Sequence, residues 1–469
     1  MWNFYKFRNN VALIEDKEKI FYKDLIIYST KIVKKLRKKS LTVMLANNSL
    51  GSIICYISFV KKRFPVLIID HRIKKTFLKK ILQLYKPENI CLPIKNSFFK
   101  NDKDFKFNFE FKDFQFLKNI KKDSFQVKNN LSILTTTSGS TGSVKFVRQS
   151  YNNIKSNTCS IVKYLKLNKG NVTITNLPLS YTFGMSIINT HLEVGSKIVV
   201  TKKTIFERKF WNVFKINQIN TIYGVPYTYE ILDKLNFFSK NTVSLKLLAQ
   251  AGGKITEKLQ KKLKVYTHKY KKLFFIMYGQ AEATTRISYL PYKKLGKKIG
   301  SIGISIPDGK IKLIDVNSRI IKSENRIGEI VYEGKNVCMG YALSRQDINK
   351  KDQWNGKIFT GDLAKRDKEG YYYIIGRKKR FIKIYGLSIN LDEIENLLKS
   401  KFSFSDFAVI SSENKIRIFS STPSIKEKVL NYLKKYIDIH IKSFEIVFIK
   451  KIPTLSNGKN NYKILLDYS

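Results

Sequence analysis

The sequence is poor in acidic residues. Its 469 residues contain 36 Asp and Glu against 88 Lys and Arg, which leaves a formal net charge of +52 at pH 7. A surplus of this size favours polyanions, anionic lipid surfaces or phosphorylated small molecules as partners. The lysines are spread along the chain and not gathered in one tail, so solvated faces rich in lysine are the simpler explanation. Charge alone names no partner.

Cysteine and histidine are also scarce, with four of each. Cys55, Cys91, Cys159 and Cys338 stand far apart, without a CxxC pair and without a cluster with histidine. This spacing suggests neither a disulfide framework nor a zinc site. Few and widely spaced cysteines fit a protein that resides in a reducing compartment.

Long hydrophobic runs are missing as well. The first ten residues, "MWNFYKFRNN", lack the apolar segment of a signal peptide, and the apolar stretch 52–60 runs directly into Lys61, Lys62 and Arg63. Nine residues are too few to span a bilayer. The sequence therefore predicts a soluble, cytoplasmic protein without a transmembrane segment.

Short apolar runs alternate with segments of helical length over the first three hundred residues. The runs "LTVMLA", "FPVLIID", "NICLPI", "LSILTTT" and "LFFIMYG" predict strands, and residues 23–39 and 150–166 predict helices between them. Such alternation is typical of an α/β layer structure. Residues 100–130 are charged and rich in phenylalanine, and we predict a surface excursion there.

The pattern changes near Gly300 to shorter strands separated by Gly, Asp and Asn, which predicts a small β unit. After Gly376 a helix-length segment, "NLDEIENLLKS", lies among further strands and predicts a compact α+β unit of roughly 90 residues. The predicted fold class is α/β: a large N-terminal domain of mixed α/β layers plus a small β unit (1–376), followed by a small α+β C-terminal domain (377–469).

The stretch "LTTTSGSTGSVKF", residues 134–146, combines Ser, Thr and Gly with a final lysine. Backbone N–H groups of such a turn can point inward around an anion, hydroxyl groups add donors, and the lysine adds countercharge. The spacing does not fit GxxxxGK[ST], so the loop is not a Walker A motif. In isolation, a turn of this composition is more often a flexible loop.

Eight segments appear in the order found in the adenylate-forming superfamily, which includes acyl-CoA synthetases, peptide-synthetase adenylation domains and firefly-luciferase-like enzymes. They are "TTTSGSTGSVK", "NLPLSYTFGMS", "AQAGGKI", "MYGQAEAT", "GEIVYEG", "FTGD", "GRKKRFIKIYGLSINLDEIE" and "PTLSNGK", spread over about 330 residues. The sequence resembles this family closely enough that chance agreement is excluded.

The resemblance implies ATP and Mg²⁺ as cofactors and assigns nucleotide-binding residues. Tyr278 would lie against adenine, Glu282 would hold the metal ion, and Asp362 with Arg377 would bind the ribose hydroxyls. The remaining residues implied to bind the nucleotide are Thr137, Ser138, Gly139, Ser140, Thr141, Gly142, Lys145, Gly252, Gly279 and Gln280.

The resemblance also implies catalytic groups on a mobile C-terminal domain. Lys459 would bridge the substrate carboxylate and the α-phosphate, and so stabilise the charge that grows in the transition state. After adenylation the domain would rotate about a hinge at Lys379 and present Lys383 and Gly386 for thioester formation.

Some positions depart from the family pattern. Val144 replaces proline, Phe146 glycine, Ser388 a common arginine and Tyr181 a frequent histidine. Ala281 replaces a threonine that would bind the α-phosphate, a loss worth about 1.5–3 kcal/mol.

The resemblance places the acid in a pocket with Tyr181, Phe183, Gly184, Tyr223 and Ala251, which favours an apolar or aryl acid over an amino acid. The implied activity is an AMP-forming acid–thiol ligase similar to acyl-CoA synthetases, with CoA or the phosphopantetheine of an acyl carrier protein as acceptor. An amino-acid-activating enzyme like D-alanine ligase or a peptide-synthetase domain is the alternative. An inactive, polyanion-binding homologue is a third reading, although no specific nucleic-acid partner is predicted.

Overall fold

The structure is a computed structural model that describes residues 1–468 except 38, 100–101, 122–124, 129, 137–143, 385–386, 413–414, 435, 437–438, 456–459 and 467. Its α-helices are α1 (Tyr22–Val33), α2 (Leu50–Lys62), α3 (Lys75–Tyr85), α4 (Tyr151–Leu165), α5 (Thr182–Glu193), α6 (Arg208–Ile216), α7 (Pro226–Lys234), α8 (Glu257–Lys269), α9 (Leu391–Lys401), α10 (Lys426–Lys434) and α11 (Tyr462–Leu466).

The strands are β1 (Val11–Glu15), β2 (Glu18–Phe21), β3 (Thr42–Ala46), β4 (Val66–Asp70), β5 (Asn89–Pro93), β6 (Phe105–Phe111), β7 (Phe114–Asn119), β8 (Leu131–Thr136), β9 (Phe146–Ser150), β10 (Val172–Ile174), β11 (Lys197–Val199), β12 (Thr221–Gly224), β13 (Leu247–Gln250), β14 (Leu273–Tyr278), β15 (Ser288–Leu290), β16 (Ile304–Ser305), β17 (Gly309–Ile314), β18 (Gly328–Gly334), β19 (Tyr341–Ala342), β20 (Lys357–Arg366), β21 (Tyr372–Arg377), β22 (Phe381–Ile384), β23 (Leu387–Asn390), β24 (Phe407–Ser412), β25 (Lys415–Ser420) and β26 (Phe444–Phe448).

Two large mixed sheets carry most of the N-terminal part. One has the order β16-β15-β14-β13-β12-β10-β11-β1-β2, and the other has the order β19-β9-β8-β4-β3-β5-β7-β6. Parallel pairs such as β3 with β4 and β13 with β14 are separated in sequence by helices, as a crossover connection requires. The α/β alternation predicted from the sequence is confirmed.

Burial explains why the central strands read as continuous apolar runs. All five residues of β3 and all but the last of β4 are buried, because helices cover parallel strands on both faces. Helix α2 begins at the N-cap Ser49, whose side chain accepts from the Ser52 amide, and it is buried from Leu50 to Val60. The apolar stretch 52–60 is therefore a core helix.

The prediction of a surface excursion over residues 100–130 is wrong. Strands β6 and β7 form an antiparallel hairpin whose second strand pairs with β5, so the hairpin extends the eight-stranded sheet. Phe109 and Phe116 stack with ring centroids 4.2 Å apart, and both are buried. The charged residues that suggested a loop alternate with these phenylalanines, which is the pattern of a strand with one buried face.

The chain divides into two units. The first comprises Met1–Ile311 and Tyr332–Ile358, and the second comprises Lys312–Val331 and Phe359–Ser469. The second unit contains all of the predicted C-terminal domain together with earlier strands. The domain boundary between residues 376 and 377 stays a prediction, as does the mobility of the C-terminal domain.

Three smaller sheets follow the two large ones. Their orders are β17-β18-β20-β21, β22-β23 and β24-β25-β26. Within the second unit, α9 and α10 pack their apolar residues, among them Ile394, Leu398 and Val429, on strands β24 and β25. Among the helices that the structure describes, none has the length and apolarity needed to cross a membrane.

Candidate active site

The chain turns sharply after β14, where the motif "MYGQAEAT" lies. Tyr278 ends the strand, Gly279 and Gln280 follow, and a single 3₁₀ turn over Ala281–Ala283 presents Glu282 half-buried. A Cβ atom on Gly279 would lie 2.0 Å from the Thr285 carbonyl oxygen. Glycine is required here because the chain folds back directly across this position.

Glu282 is held by a tyrosine that the sequence interpretation did not identify. The Tyr341 hydroxyl donates to Glu282 Oε1 at 2.8 Å. Lys145 Nζ stands 3.5 Å from the centroid of the Tyr341 ring, which is the geometry of a cation–π contact. One aromatic side chain thus joins the predicted metal ligand to the last residue of the predicted phosphate loop.

Strand pairing accounts for the position of Tyr341. Strand β19 runs antiparallel to β9, with Tyr341 opposite Val147 and Ala342 opposite Phe146, so Tyr341 comes beside Lys145 at the start of β9. Trp354 meets the Tyr341 ring edge-on at 4.9 Å and fixes its orientation. Burial and the neighbouring Glu282 carboxylate raise the pKa of Tyr341, so its hydroxyl keeps its proton.

The backbone after Glu282 is strained and is held by a distant asparagine. Thr284 has φ of +55° and Thr285 has φ of +138°, the second being exceptional for a β-branched residue. Asn336 Nδ2 donates to the carbonyl oxygens of Ala283 and Arg286, both at 2.8 Å. Tyr332 in turn donates to Asn336 Oδ1 at 2.7 Å. These contacts keep the turn in a conformation that it would not adopt alone.

The residues predicted to form the acid pocket come together. Tyr181 and Phe183 rings lie 6.3 Å apart, and Phe183 meets Tyr223 edge-on at 6.1 Å. Gly252 has φ of +90°, and a Cβ there would lie 2.8 Å from the Tyr181 hydroxyl. Ala251 is buried and its amide donates to the Gly224 carbonyl at 3.1 Å.

Gly184 allows the start of α5 to approach the preceding loop. A Cβ at this position would lie 2.1 Å from the Pro178 carbonyl oxygen. A small cavity of about 10 Å³ adjoins this helix, lined by Thr182, Ser186, Thr284 and Thr285 among other residues. The five residues predicted to bind the acid are not among those that line this cavity.

Ala281, where the family has threonine, is buried against Val147 and Cys338. Cys338 donates its thiol to the Ala281 carbonyl at 3.3 Å, and the Cys338 amide donates to Glu282 O at 2.9 Å. The alanine that replaces the family's threonine therefore lies in a packed apolar environment next to the Glu282 turn.

Asp362 and Arg377 are neighbours in the second unit. They face each other across β20 and β21, and Arg377 Nε lies 3.2 Å from Asp362 Oδ1. The Asp362 side chain is 7% exposed and that of Arg377 is 59% exposed. Next to them, Glu329 accepts from the Gly361 amide at 3.2 Å and from Lys378 Nζ at 2.9 Å. The two side chains predicted to bind ribose thus form one pair.

The predicted hinge, Lys379, lies in a short 3₁₀ turn over Lys378–Arg380. Lys383 belongs to β22, and its side chain lies outside the described part of the structure, as does Gly386. Lys459 and the loop residues Thr137, Ser138, Gly139, Ser140, Thr141 and Gly142 also lie outside the described residues.

Glu395 organises the chain next to the predicted catalytic lysine. It is 7% exposed and accepts from Asn460 Nδ2 at 3.0 Å, from the Tyr462 hydroxyl at 2.9 Å and from the Val409 amide at 3.1 Å. Arg380, which directly follows the predicted hinge residue, lies 3.4 Å from the same carboxylate. A buried carboxylate with this many donors is well satisfied.

Curated relatives align with most of this chain. A 4-coumarate–CoA ligase-like protein of Arabidopsis thaliana is 23% identical over 358 residues, which cover 73% of this chain and 64% of that protein. A 2-succinylbenzoate–CoA ligase of Oceanobacillus iheyensis is 27% identical over 332 residues, covering 69% of this chain and 67% of that protein. The chain thus spans less than two thirds of the first of these relatives.

Solved structures share the fold. An o-succinylbenzoate CoA synthetase of Bacillus subtilis with the acyl-adenylate intermediate superposes with a TM-score of 0.80 at 16% identity, covering 99% of this chain and 98% of that chain. The same enzyme with ATP and magnesium gives 0.77 at 17% identity and covers all of both chains. The predicted α/β class, with a larger N-terminal and a smaller C-terminal domain, is confirmed.

A family profile described as AMP-binding enzyme matches residues 42–342. This range contains the Glu282 turn, Tyr341 and the acid-pocket residues. The chain belongs to that family.

Proposed function

We propose that this protein uses ATP to activate a carboxylic acid as an acyl-adenylate and then transfers the acyl group to a thiol, that of CoA or of a carrier-protein phosphopantetheine. Membership of the AMP-binding family and the CoA-ligase names of its relatives support the proposal. The observation that carries it is the contact series from Lys145 through Tyr341 to Glu282, because it joins the lysine predicted to bind phosphate to the carboxylate predicted to bind the metal ion. We also propose that the reaction takes place in the cytoplasm, where ATP is available.

Glu282 fits the role of a Mg²⁺ ligand. Its Oε1 accepts from Tyr341, and among the described residues no donor to Oε2 is found, so this oxygen can face a cation. The described residues contain no cluster of three His, Cys, Asp or Glu that could hold a metal ion. A single protein carboxylate completed by phosphate oxygens and water is the usual arrangement for Mg²⁺ on a nucleotide. The ion would neutralise charge on the triphosphate.

Adenylation forms one bond and breaks another. A carboxylate oxygen attacks the α-phosphorus of ATP, the bond from the α-phosphorus to the bridging oxygen breaks, and pyrophosphate leaves. Tyr278 would stack on adenine and the Asp362–Arg377 pair would bind the ribose hydroxyls. Lys459 would stabilise the charge on the attacking and α-phosphate oxygens.

Thioester formation is the proposed second step. The sulfur of the acceptor attacks the acyl carbonyl carbon, the thiol proton is released, and AMP leaves. Rotation of residues 377–469 about Lys379 would bring Lys383 and Gly386 to the site for this step. The surplus of lysine suits the phosphates of CoA and an acidic carrier protein equally well.

Substrate-panel pyrophosphate exchange tests the function. We expect ATP-dependent exchange with at least one carboxylic acid, and no exchange when Mg²⁺ is removed. Lys459→Ala should abolish exchange but preserve conversion of a supplied acyl-adenylate to thioester, while Lys450→Ala, at an exposed position, should preserve both. Salt-sensitive nucleic-acid binding without exchange by any acid would refute the proposal.

A further inference from the structure

Arg286 is a buried cation for which the described chain provides no counterion. It is 3% exposed, its Nη1 donates only to the neighbouring Thr285 carbonyl at 3.2 Å, and its Nε has no hydrogen-bond partner among the described residues. Burial lowers the pKa of Arg286, and the nearby charged or polar side chains that oppose this shift are tyrosines. A buried charge without a partner is costly, so such groups are usually paired or functional.

The surroundings of Arg286 are the predicted acid pocket. Its guanidinium carbon lies 4.1 Å from the centroid of the Phe183 ring. Tyr181 and Tyr223, two further pocket residues, interact with it electrostatically, and Tyr164 also accepts a side-chain hydrogen bond from it. The Tyr223 hydroxyl is buried and also has no partner among the described residues. Two hydrogen-bond donors thus stand unsatisfied around one aromatic ring.

A second buried arginine in the same unit shows what a structural arginine looks like here. Arg148 is fully buried, and it donates to the Lys350 carbonyl at 2.6 Å, to the Lys351 carbonyl at 3.1 Å and to Gln353 Oε1 at 3.0 Å. Its guanidinium joins separate backbone segments. Nε of Arg148, like that of Arg286, has no partner among the described residues. The side-chain hydrogen bonds of Arg286 within the described chain are limited to the Thr285 carbonyl and the Tyr164 side chain, although Arg286 is only 3% exposed.

The fold holds Arg286 in place through its backbone. Asn336 binds the Arg286 carbonyl at 2.8 Å, and the residue before it, Thr285, has the strained φ of +138°. Thr285 and Thr182, each adjacent in sequence to a member of this cluster, line the cavity described above. Strain of this kind is found where a side chain must be placed for a ligand.

A small anion would satisfy the free donor of Arg286. A guanidinium offers planar paired donors that match a carboxylate, and an aromatic face against it leaves those donors directed sideways. The aromatic walls suit an apolar or aryl body. We propose that Arg286 binds a second anionic group on the acid substrate, so that the substrate is a dicarboxylic acid or an acid with an equivalent charge at its far end. This inference rests on the proposed function.

Matched acids test the substrate class. Pyrophosphate exchange is measured with hexanoate and hexanedioate, and with 3-phenylpropanoate and its 4-carboxy derivative, for the wild type, Arg286→Lys and Arg286→Met. We expect the wild type to prefer the dianion of a pair by about tenfold or more in kcat/KM, Arg286→Lys to keep part of the preference, and Arg286→Met to reverse it. Equal use of mono- and dianions by the wild type and Arg286→Met would overturn the inference and leave the proposed function intact.

Thermal unfolding gives a readout that does not depend on turnover. Hexanedioate should raise the unfolding temperature of the wild type more than hexanoate does, and this difference should vanish in Arg286→Met. Without any acid, Arg286→Met should unfold at or above the wild-type temperature, whereas Arg148→Met should unfold well below it. If Arg286→Met is destabilised as much as Arg148→Met and the dianion has no specific effect, Arg286 is structural and the inference fails, even where no acid supports exchange.

Discussion

The Tyr341 hydroxyl donates to the Glu282 carboxylate at 2.8 Å, across 59 positions of sequence. The same ring carries Lys145 on its face. The Tyr341 side chain therefore contacts two groups of opposite charge: its hydroxyl binds the Glu282 carboxylate, and its ring face contacts the Lys145 ammonium group.

Tyr341→Phe separates these two effects. The ring and its contact with Lys145 remain, but Glu282 loses a donor that orients it. A hydrogen bond to a charged group is worth about 1.5–3 kcal/mol, so we expect kcat/KM for MgATP to fall about tenfold or more. The Mg²⁺ concentration needed for half-maximal exchange should rise, which a purely structural role would not cause.

The control for this variant is Tyr22→Phe, because the Tyr22 hydroxyl is also buried and donates to the Ser196 carbonyl at 2.8 Å. It should lower stability without changing the Mg²⁺ requirement. An unchanged Mg²⁺ dependence in Tyr341→Phe would contradict the assigned role.

Asp362→Asn removes the charge that both pairs with Arg377 and is proposed to bind ribose. We expect the KM for ATP to rise about tenfold or more, since hydrogen bonds to a carboxylate are stronger than those to an amide. Arg377→Met should have a smaller effect because this side chain is mostly exposed. Lys368→Met, the loss of an exposed cation in the same unit, should leave the KM for ATP unchanged. Equal effects of all three substitutions would point to general charge and not to a ribose site.

Glu395→Gln places an amide donor among groups that already donate. Asn460, Tyr462 and the Val409 amide would lose acceptors, and we expect the second unit to lose about 2–4 kcal/mol of stability. Hydrogen exchange should report faster opening of residues 460–466, and adenylation should slow, because Asn460 directly follows Lys459. Glu393→Gln, at an exposed site on the same helix, provides the matched control. Normal exchange protection at 460–466 in Glu395→Gln would refute this role.

His191 predicts a dependence of stability on pH. It is fully buried, its Nδ1 bonds the Ile187 carbonyl at 2.8 Å, and burial lowers its pKa from 6.5 to about 4. The unfolded chain therefore binds a proton at a pH where the folded chain does not. Stability is fully present above pH 6.5 and is lost as the pH falls toward 4.

The expected loss between pH 7.5 and pH 5 is about 2 kcal/mol, from 1.36 kcal/mol per unit below the unfolded pKa. Denaturant unfolding at the two pH values measures it. His191→Gln should remove this part of the pH dependence. If the wild type and His191→Gln lose equal stability on acidification, other groups are responsible.

Residues that belong to continuous motifs could be predicted from the sequence. Tyr278 and Glu282 fall in one turn, and Asp362 and Arg377 fall in two motifs that the structure shows as paired strands. The role of Tyr341 could not be predicted, because its position beside Lys145 depends on the register of β19 against β9 and not on its neighbours in sequence.

Arg286 was missed for a related reason. An arginine after "AEATT" reads as a solvated charge, and only the packing of Phe183 and the tyrosines around it shows that it is buried. Residues 105–119 were mistaken for a loop because their charges obscured the alternation of buried phenylalanines. In each case the deciding contact is with a segment far away in the sequence.

The hydrogen bonds from Asn336 to the Ala283 and Arg286 carbonyls have a consequence for the synthesis of the protein. The turn after Glu282 takes its shape from an amide fifty residues downstream, so a nascent chain or a fragment that stops before that residue contains the nucleotide motif but lacks its native conformation. The native conformation of this turn can therefore form only late in synthesis, after Asn336 has left the ribosome and bound the two carbonyl groups.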